Sequence, residues 1–365
     1  MRNNLVLLAA GGTGGHLFPA EALAVALDKR GVAVDLATDT RAAHFKFPAR
    51  EVHLIPSATL RSRNPLGYAR TLALLGAGTT KALLLLGRVK PAAVVGFGGY
   101  PTVPPLYAAT LRGIPTVLHE QNGVMGRANR MLATRVTAIA TSFPDVAGVD
   151  PGLKAKMTFT GNPIRPAVAA ASATPYPAPR PDGVLRVTVF GGSQGARVMS
   201  DVVPEAIGRL PPVLKGRLAI TQQARGEDLE RVRAAYRQLG IAAETADFFA
   251  DLPQRVAASH LIVARAGAST VAELSAIGRP AILVPLPHAL DQDQLANAGV
   301  LEKAGGAIRI DQPAFTPERL AAEITALAAD PDRLVWMAAA AKTAGTIDAA
   351  GRLADLVMKV AVLTN

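Results

Sequence analysis

The chain repeats one local pattern, and this repeat restricts its fold more than any other feature. An apolar run at Leu5–Ala10 enters the glycine loop GGTGGH at 11–16, and a helical pattern follows from about Pro19. The same order returns at Leu185–Phe190, where the loop GGSQGA at 191–196 opens a helix. A strand, a glycine loop and a helix in succession cradle phosphate in doubly wound sheets. Two copies predict two Rossmann-like α/β domains facing one cleft, rather than one long sheet.

Length and composition agree with two domains. The 365 residues suffice for two domains of ordinary size, and half of them are apolar, so each domain can bury its own core. A stretch rich in proline and alanine at 171–183 marks the boundary between them. The absence of cysteine excludes disulfides and thiolate metal sites and fits a reducing compartment. The apolar run near the N-terminus is only six residues long, which favours a buried strand over a signal peptide. The sequence contains no uninterrupted apolar run of about 18 residues, so we expect no membrane-spanning helix.

The positive charge is concentrated in the first half of the chain. Residues 1–165 contain 19 Lys and Arg against 8 Asp and Glu, whereas residues 166–365 contain 20 of each. A basic half-protein indicates a nucleic acid, an anionic membrane surface or an acidic substrate as its partner. Aromatic residues make up only 4% of the chain, which argues against stacking on single-stranded nucleic acid.

The stretch Leu60–Lys90 interleaves apolar residues with cations. Six cations lie among its leucines: Arg61, Arg63, Arg70, Lys81, Arg88 and Lys90. This composition is typical of a surface that sits among lipid headgroups. A pair of ordinary helices packed on the sheet would have the same composition, but the charge asymmetry favours the membrane surface.

Polar or glycine-rich clusters follow two further predicted strands of the first domain. GFGGYP at 96–101 follows the strand Ala92–Gly96, and HEQN at 119–122 follows the strand Thr116–Leu118. Ligands of open α/β sheets bind at the carboxyl ends of the strands. We therefore expect these clusters and the first glycine loop to line one site.

The stretch RAGASTVAE at 265–273 predicts the start of a ligand-binding helix. It follows the apolar run Leu261–Ala264, and Ser269 or Thr270 is placed to cap the helix, with Glu273 completing a capping box. Small residues allow close approach to backbone N–H groups at the positive end of the helix dipole, which favours phosphate. Glu273, one turn later, can reach ribose hydroxyls. A well-capped helix without a ligand would show the same pattern.

His16 ends the first glycine loop and would lie over the anion that the loop holds. The loop is not GxGxxG and lacks the lysine of a P-loop, so neither a dinucleotide nor a nucleoside triphosphate is the first expectation. A histidine here is a candidate general base, because its pKa is ordinarily near ~6.5. A helix-capping or otherwise satisfied polar residue is the alternative.

Seven motifs together resemble one known family. In chain order they are GGTGGH, GFGGYP, HEQN, GNPIR at 161–165, GGSQGA, RAGASTVAE and PHALDQDQLANA at 287–298. Their order and spacing resemble the MurG family of N-acetylglucosaminyltransferases, which make lipid II for peptidoglycan. The resemblance extends from Leu5 to about Ala307.

The resemblance implies a GT-B fold, in which two Rossmann-like domains face a central cleft and the C-terminal helix returns to the first domain. Residues 1–163, with a helix at about 343–365, would form the domain for the acceptor and the membrane, and residues 164–342 would bind UDP-GlcNAc. The acceptor would be lipid I, an undecaprenyl-diphosphate-linked MurNAc-pentapeptide. The resemblance further implies a peripheral enzyme at the cytoplasmic face of the inner membrane. It leaves room for partners among proteins of cell-wall synthesis and division, and it implies no cofactor.

The resemblance also assigns site residues. Gly12, Gly98, Gly99 and Tyr100 would line the acceptor cleft. Arg165 and Ser193 would contact the diphosphate, Glu273 the ribose, and Asn122 and Gln294 the sugar. The complete UDP-GlcNAc set is Thr13, Gly14, Gly15, Asn122, Arg165, Ser193, Phe249, Ala268, Ser269, Thr270, Val271, Ala272, Glu273 and Gln294. Phe249 stands where a smaller aliphatic residue is usual beside uracil, and backbone contacts tolerate that change. Asp291-Gln292-Asp293 looks like a metal-binding DxD of another fold, but we expect a loop beside Gln294 and no required metal.

The implied reaction inverts the anomeric carbon by single displacement. His16 is our first choice for the base that deprotonates the MurNAc 4-hydroxyl, with Glu120 and His119 as alternatives. The helix dipole, Arg165 and backbone N–H groups would stabilise departing UDP. Two other functions would share many of these sequence features. One is a UDP-GlcNAc 2-epimerase, and the other is a non-catalytic subunit that binds a sugar nucleotide or recruits partner proteins to the membrane. No nucleic-acid reader motif is visible.

Overall fold

Two parallel β-sheets organise the chain, one in each of two units. The computed structural model describes residues 4–12, 14–42, 45–59, 64–192, 195–287 and 292–363. The first unit contains residues 1–165 and 347–365, and the second contains residues 166–346. The α/β fold with two Rossmann-like domains, predicted from the repeated opening, is confirmed.

The sheet of the first unit has seven parallel strands in the order β3-β2-β1-β4-β5-β6-β7. Its strands are β1 (Leu5–Ala9), β2 (Ala33–Thr38), β3 (Val52–Leu54), β4 (Ala93–Gly96), β5 (Thr116–Glu120), β6 (Ala138–Thr141) and β7 (Met157–Phe159). β1 and β4 are buried along their whole length, as expected of central parallel strands with both faces covered.

The sheet of the second unit has six parallel strands in the order β10-β9-β8-β11-β12-β13. Its strands are β8 (Leu185–Phe190), β9 (Leu218–Gln223), β10 (Ala243–Ala246), β11 (Leu261–Ala264), β12 (Ala281–Leu283) and β13 (Ala307–Arg309). The chain therefore repeats not only a local motif but a whole sheet order, with the order reversing beside β1 in one unit and beside β8 in the other.

Helices connect the strands in both units. Those of the first unit are α1 (Gly14–Asp28), α2 (Pro65–Val89), α3 (Val103–Leu111), α4 (Arg127–Leu132) and, near the C-terminus, α14 (Ala349–Ala361). Those of the second unit are α5 (Pro166–Ala171), α6 (Arg197–Gly208), α7 (Pro212–Lys215), α8 (Gly226–Gln238), α9 (Leu252–Ala258), α10 (Ala268–Ile277), α11 (Asp293–Lys303), α12 (Pro317–Ala329) and α13 (Pro331–Thr343).

Some boundaries differ from the sequence prediction. α1 begins at Gly14 rather than near Pro19, so His16 lies in its first turn and the proline lies inside the helix. Proline favours the first helical turn and therefore suggested a later start. His119 and Glu120 belong to β5 rather than to a loop after it. The short edge strands β10 and β13 have no apolar run that predicts them.

α2 is one 25-residue helix rather than a pair of helices. A narrow stripe at helical spacing is buried in the first unit: Thr71, Leu75, Ala82, Leu85, Leu86 and Val89. The opposite side leaves apolar residues exposed, with Leu84 71% and Tyr68 50% accessible. Within the described residues, Gly67–Val89 is long and apolar enough to cross a membrane by length and composition, yet its buried stripe fixes it along the unit.

α14 completes the core of the first unit from the other end of the chain. Leu353, Ala354 and Val357 are fully buried in the cluster that also contains Leu8 and Leu23. The helix packs against α1, and Arg30 donates hydrogen bonds to Gly351 O and to the carboxylate of Asp355.

Candidate functional site

Many of the described residues that the sequence predicted for the site follow the carboxyl ends of central strands in each unit. In the first unit the glycine loop after β1 and the turn after β4 lie side by side, because these strands are neighbours at the point where the strand order reverses. In the second unit the loop after β8 and the RAGASTVAE stretch after β11 are related in the same way. Crevices at such switch points are the usual ligand sites of doubly wound sheets.

His16 is held between HEQN and GFGGYP. Its Nδ1 lies 3.1 Å from Gln121 Oε1, and Gln121 Nε2 donates to Phe97 O at 2.9 Å. Gly98 and Gly99 have positive φ angles of 81° and 71°, and a Cβ at Gly99 would lie 3.2 Å from His16 Nε2. Three motifs that are far apart in the sequence therefore meet around one imidazole, as their placement at strand ends predicted.

Glu120 has surroundings that argue against its predicted role as a base. Its carboxylate accepts hydrogen bonds from the backbone N–H groups of Asn122 and Gly126, and from the side-chain amides of Asn122 and Asn129. Burial raises the pKa of Glu120, while these hydrogen bonds oppose the rise. Four donors therefore occupy both oxygens, and the carboxylate organises the loop after β5.

His119, the other alternative base, is fully buried. Its Nε2 lies 3.2 Å from Gly161 O, and burial lowers the pKa of His119 to about 4. The ring is therefore neutral near pH 7 and is a weak base. Of the three candidates that the sequence offered, His16 alone combines partial exposure with a fixed ring.

Several buried polar atoms at this sheet edge have no hydrogen-bond partner among the described residues. They are His119 Nδ1, Ser142 Oγ and both side-chain amide atoms of Asn162. His119 lies in β5, Ser142 follows β6 and Asn162 follows β7. They lie close together, because Gly161 N donates to Thr141 O and His119 Nε2 is 3.2 Å from Gly161 O. Orphaned buried groups are rare in folded proteins and tend to mark sites that bind water or ligand. Asn162 belongs to the GNPIR motif, in which the sequence predicted a role for Arg165 alone.

Arg165 belongs to the first unit. Its guanidinium lies 4.3 Å above the Phe18 ring of α1. Burial raises the pKa of Glu21 on the same helix, and the charge of Arg165 opposes that rise. The cation predicted for the diphosphate is thus held by α1, while the helix predicted for the phosphate lies in the second unit.

The second glycine loop needs its glycines for steric reasons. A Cβ at Gly191 would lie 2.2 Å from Ala196 N, closer than any side chain tolerates. Gly192 and Gly195 have positive φ angles of 83° and 64°. Gly191 therefore packs directly against the backbone that enters α6, where no side chain fits.

The RAGASTVAE stretch opens α10, but the predicted capping box is wrong. The N-cap is Gly267, and Ser269 and Thr270 lie inside the first turn. Gly267 suits the cap because the extended chain after β11 turns directly into the helix there. Ser269 and Glu273 are four residues apart on one half-buried face. Val271 is buried and its N–H donates to Gly267 O, so it supports the helix. Ala268 is also buried, and Ala272 is half-buried.

Gln294 and two residues that the prediction missed hold the loop around this helix start. Gln294 Oε1 accepts from Ala266 N at 3.3 Å and from Leu286 N at 3.0 Å. Asn297 Nδ2 donates to Ala266 O, and Arg265 donates to Val284 O and Pro285 O. With its oxygen engaged by two N–H groups, Gln294 presents its amide nitrogen as the end that can donate to a ligand.

Arg225 lies beside the second glycine loop. Its side chain lies against Gly195, with Cγ 2.8 Å from the position of a glycine Cβ, and its Nε is buried without a hydrogen bond among the described residues. Arg265 instead donates to Val284 O, Pro285 O and Gln312 Oε1, and burial and then the charge of Arg225 lower its pKa. Neither arrangement could be predicted from sequence, because each arginine contacts residues that are distant along the chain.

Phe249 is 8% exposed and lies under the Arg255 guanidinium at 4.4 Å, while its carbonyl accepts from Leu252 N. Gly12 precedes α1, whereas Gly14 and Gly15 lie in its first turn rather than in a loop before it. Tyr100 follows the glycine turn and is half-buried. Thr13, Ser193 and Asp291 lie outside the described residues. The loop predicted at Asp291-Gln292-Asp293 is wrong at its end, because Gln292 is the N-cap of α11 and Asp293 begins that helix.

Two other features of the described residues lie apart from this site. A cavity of about 640 Å³ in the second unit is lined by the amino-terminal halves of β8, β9 and β10 with Arg255 and Ser259, at the opposite end of the strands from α10. Asp35, Glu51 and His53 are close enough to share a metal ion. Two nitrogens of Arg50 and His53 Nε2 already occupy the Asp35 carboxylate, so this cluster is an ion-pair network.

Comparison with known proteins places the whole chain in one family. Residues 6–141 match the glycosyltransferase family 28 N-terminal domain, and residues 186–353 match the glycosyltransferase family 28 C-terminal domain. A protein from Nitrobacter hamburgensis is 64% identical over 363 residues, covering 99% of this chain and 98% of its own. It is named UDP-N-acetylglucosamine--N-acetylmuramyl-(pentapeptide) pyrophosphoryl-undecaprenol N-acetylglucosamine transferase.

Solved structures agree with this relationship. The structure of Acinetobacter baumannii MurG is 28% identical, with a TM-score of 0.77 over 97% of this chain and 99% of that chain. A UDP-GlcNAc 2-epimerase from Neisseria meningitidis, bound to UDP-GlcNAc, has a TM-score of 0.66 over 97% and 100% of the two chains, but its 13% identity shows the fold alone. On sequence identity, domain matches and fold together, the chain belongs to the MurG family of glycosyltransferases within family 28.

Proposed function

We propose that this protein transfers N-acetylglucosamine from UDP-GlcNAc to the MurNAc 4-hydroxyl of lipid I, inverting the anomeric carbon and forming lipid II for peptidoglycan. The observation that carries this function is the near full-length identity of 61–64% to relatives that bear the name of this transferase. The two half-sites, one at each sheet switch point, supply the groups that the reaction requires.

The second unit supplies the donor site. The first turn of α10 directs N–H groups and the positive end of the helix dipole towards the phosphates. Arg225 and Arg265 add positive charge, so negative charge that develops on departing UDP is stabilised by fixed protein groups. Glu273 is placed for the ribose hydroxyls, and the Gln294 amide for a hydroxyl of GlcNAc. Arg165 and Asn122, with the first glycine loop, complete the proposed contacts from the first unit.

The first unit supplies the acceptor site and the base. The MurNAc 4-oxygen attacks C1 of GlcNAc, its proton passes to His16, and the bond from C1 to the β-phosphate oxygen breaks with its electron pair leaving on UDP. The glycine turn at Gly98 and Gly99 gives the acceptor sugar access beside the imidazole. His16 is chosen over Glu120 and His119 because those groups are enclosed by their own partners.

The exposed side of α2 has the composition expected of a surface that binds a membrane. Its exposed apolar residues lie among the exposed cations Arg70, Lys81 and Arg88, and the helix contains no acidic residue. Cations beside apolar side chains bind anionic headgroups while the apolar groups enter the interface. We therefore place the enzyme as a peripheral protein on the cytoplasmic face, where a lipid-linked acceptor is presented.

The direct test measures UDP release from UDP-GlcNAc, with and without a short-chain lipid I analogue, in the presence of EDTA. Release that requires the analogue and continues in EDTA is the expected result, because helix N–H groups and arginines stabilise the leaving group. Release without an acceptor would move the function to an epimerase or a hydrolase. Tight donor binding without release would favour a binding subunit.

A further inference from the structure

The hydrogen bond between His16 and Gln121 joins residues 105 positions apart and fixes the imidazole that the proposed mechanism uses. His16 Nδ1 and Gln121 Oε1 are 3.1 Å apart. Gln121 is 4% exposed, so its side chain has little freedom to turn. Its other end donates from Nε2 to Phe97 O at 2.9 Å, at the start of the glycine turn.

The orientation of the Gln121 amide decides which imidazole nitrogen carries the proton. Phe97 O is a carbonyl and only accepts, so the NH2 group of Gln121 must face it. The carbonyl oxygen of the same amide then faces His16, and an oxygen that only accepts needs an N–H opposite. Neutral His16 therefore carries its hydrogen on Nδ1 and its basic lone pair on Nε2.

We infer that Gln121 is a positioning residue that holds His16 in the Nδ1-protonated tautomer, so that Nε2 is the atom that receives the proton of the acceptor hydroxyl. This inference rests on the proposed function, in which His16 is the base. The proton moves from the 4-hydroxyl oxygen to Nε2, and the imidazolium that forms keeps its Nδ1–H bond to Gln121. Gln121 touches no reacting atom and acts through His16 alone.

The glycine turn constrains the ring from its other side. A Cβ at Gly99 would lie 3.2 Å from His16 Nε2 and 3.3 Å from Cδ2, and a Cβ at Gly98 would lie 3.6 Å from Cε1. Phe97 O, the anchor of Gln121, directly precedes this turn. The Gln121 amide is thus anchored at the turn that lies against the ring, and both contacts favour one ring orientation.

A neutral partner also affects the basicity of the ring. A carboxylate at this place would select the same tautomer, but its charge would favour the imidazolium and raise the pKa of the ring. An amide gives the orientation without that charge. Replacing Gln121 by glutamate therefore separates the two effects, since it preserves the acceptor and adds the charge.

The first experiment reads the tautomer directly. The enzyme labelled with 15N-histidine is measured by long-range 1H–15N correlation above the pKa of the ring, with the His16 signals assigned by their loss in His16→Ala. We expect Nδ1 protonated and Nε2 bare in the native protein, and a mixture of tautomers in Gln121→Leu. A native His16 protonated on Nε2, or an unchanged tautomer in Gln121→Leu, would overturn the inference.

The second experiment reads the consequence for catalysis. Gln121→Leu should lower kcat by about ten- to hundredfold with little change in the donor KM, which is part of the ~10²–10⁴ that a general base contributes. In the His16→Ala background the same change should cost nothing further, because Gln121 acts only through His16. Gln121→Glu should raise by about 1 the pKa that limits kcat/KM at low pH.

Thr102→Val is the matched control for disturbance of the turn. Thr102 is buried and donates to Gly98 O and Ala9 O, but does not touch His16. Thr102→Val should lower the free energy of unfolding and leave unchanged the pKa that limits kcat/KM at low pH. An equal pKa shift in Thr102→Val and Gln121→Glu would reduce Gln121 to a structural role. If His16→Ala retained full turnover while the tautomer followed Gln121, the base assignment would fail and the positioning would stand.

Discussion

At the scale of single residues, the imidazole of His16 is the group on which the proposed chemistry depends most. His16→Ala should reduce turnover by about 10²–10⁴, the usual contribution of a general base. The affinity for UDP-GlcNAc, measured by titration calorimetry, should change little because α10, the helix proposed to bind the phosphates, belongs to the second unit. His53→Ala is the matched control, since His53 lies in the same unit and binds Asp35. Unchanged turnover in His16→Ala would remove it from this role.

Buried His119 predicts a pH dependence of stability. Burial lowers its pKa to about 4, against ~6.5 in an unfolded chain. Between these values the unfolded state binds more protons, so the free energy of unfolding of the first unit falls as the pH falls, by up to about 3 kcal/mol. His119→Gln retains a donor for Gly161 O and does not titrate. In urea denaturation at pH 4 to 7, the free energy of unfolding should depend less on pH in this variant than in the native protein. An equal pH dependence in the two proteins would contradict the lowered pKa of His119.

At this scale the sequence shows the motifs that meet around His16, but it does not show the individual contacts among them. His16 stood out because it follows a glycine loop, whereas Gln121 carried no local signal and gains its role from a partner 105 residues away. Glu120 was a reasonable base for a polar strand end. Its enclosure by Asn122, Gly126 and Asn129 depends on how the following loop folds back, which no local pattern shows.

At the scale of elements, buried strands were predictable and edge elements were not. β1, β8 and β11 are apolar runs next to glycine loops, and each was located to within one residue. The edge strand β10 reads Ala-Glu-Thr-Ala, and only pairing with β9 makes it a strand. The cap of α10 was misassigned because Ser and Thr are strong caps in general, while the chain after β11 enters the helix through Gly267.

The glycine loop before α6 should not tolerate a side chain at position 191. Gly191→Ala places Cβ 2.2 Å from Ala196 N, so the loop must open away from β8. We expect the affinity for UDP-GlcNAc to fall tenfold or more, about 1.4 kcal/mol. Gly216→Ala is the control, because its Cβ would meet only ordinary contacts at 3.7 Å. Equal donor affinity in the two variants, by calorimetry, would exclude the loop from the donor site.

The exposed side of α2 should determine vesicle binding. Leu72→Asp and Leu84→Asp alter side chains that are 48% and 71% exposed, so the fold should persist while the apolar surface is lost. Co-sedimentation with anionic vesicles should weaken severalfold, and more at low salt than at high salt. Val213→Asp, 79% exposed in the neutral second unit, is the control. Loss of binding in all three variants alike would deny α2 a special role.

At the scale of the whole molecule, the two units should unfold as separate transitions in calorimetry. Leu353→Ala removes a fully buried side chain of α14 and should destabilise the first unit by about 2–5 kcal/mol. Leu334→Ala is the matched change in the core of the second unit. UDP-GlcNAc at 100 times its Kd should stabilise the second unit, which supplies most of the proposed donor contacts, by about 2.7 kcal/mol. A shift of both transitions by Leu353→Ala would show that they are coupled.

The place of α14 also sets an order of events during synthesis. The second unit consists of one contiguous segment, residues 166–346, whereas the first unit also needs residues 347–365, which follow that segment in the chain. Most of the first unit is therefore synthesised earlier, but it lacks Leu353, Ala354 and Val357 until the whole second unit has been translated. The half of the protein that is made first is therefore the half that closes last. A nascent chain stalled before residue 349 would expose an unfinished core to proteases and chaperones.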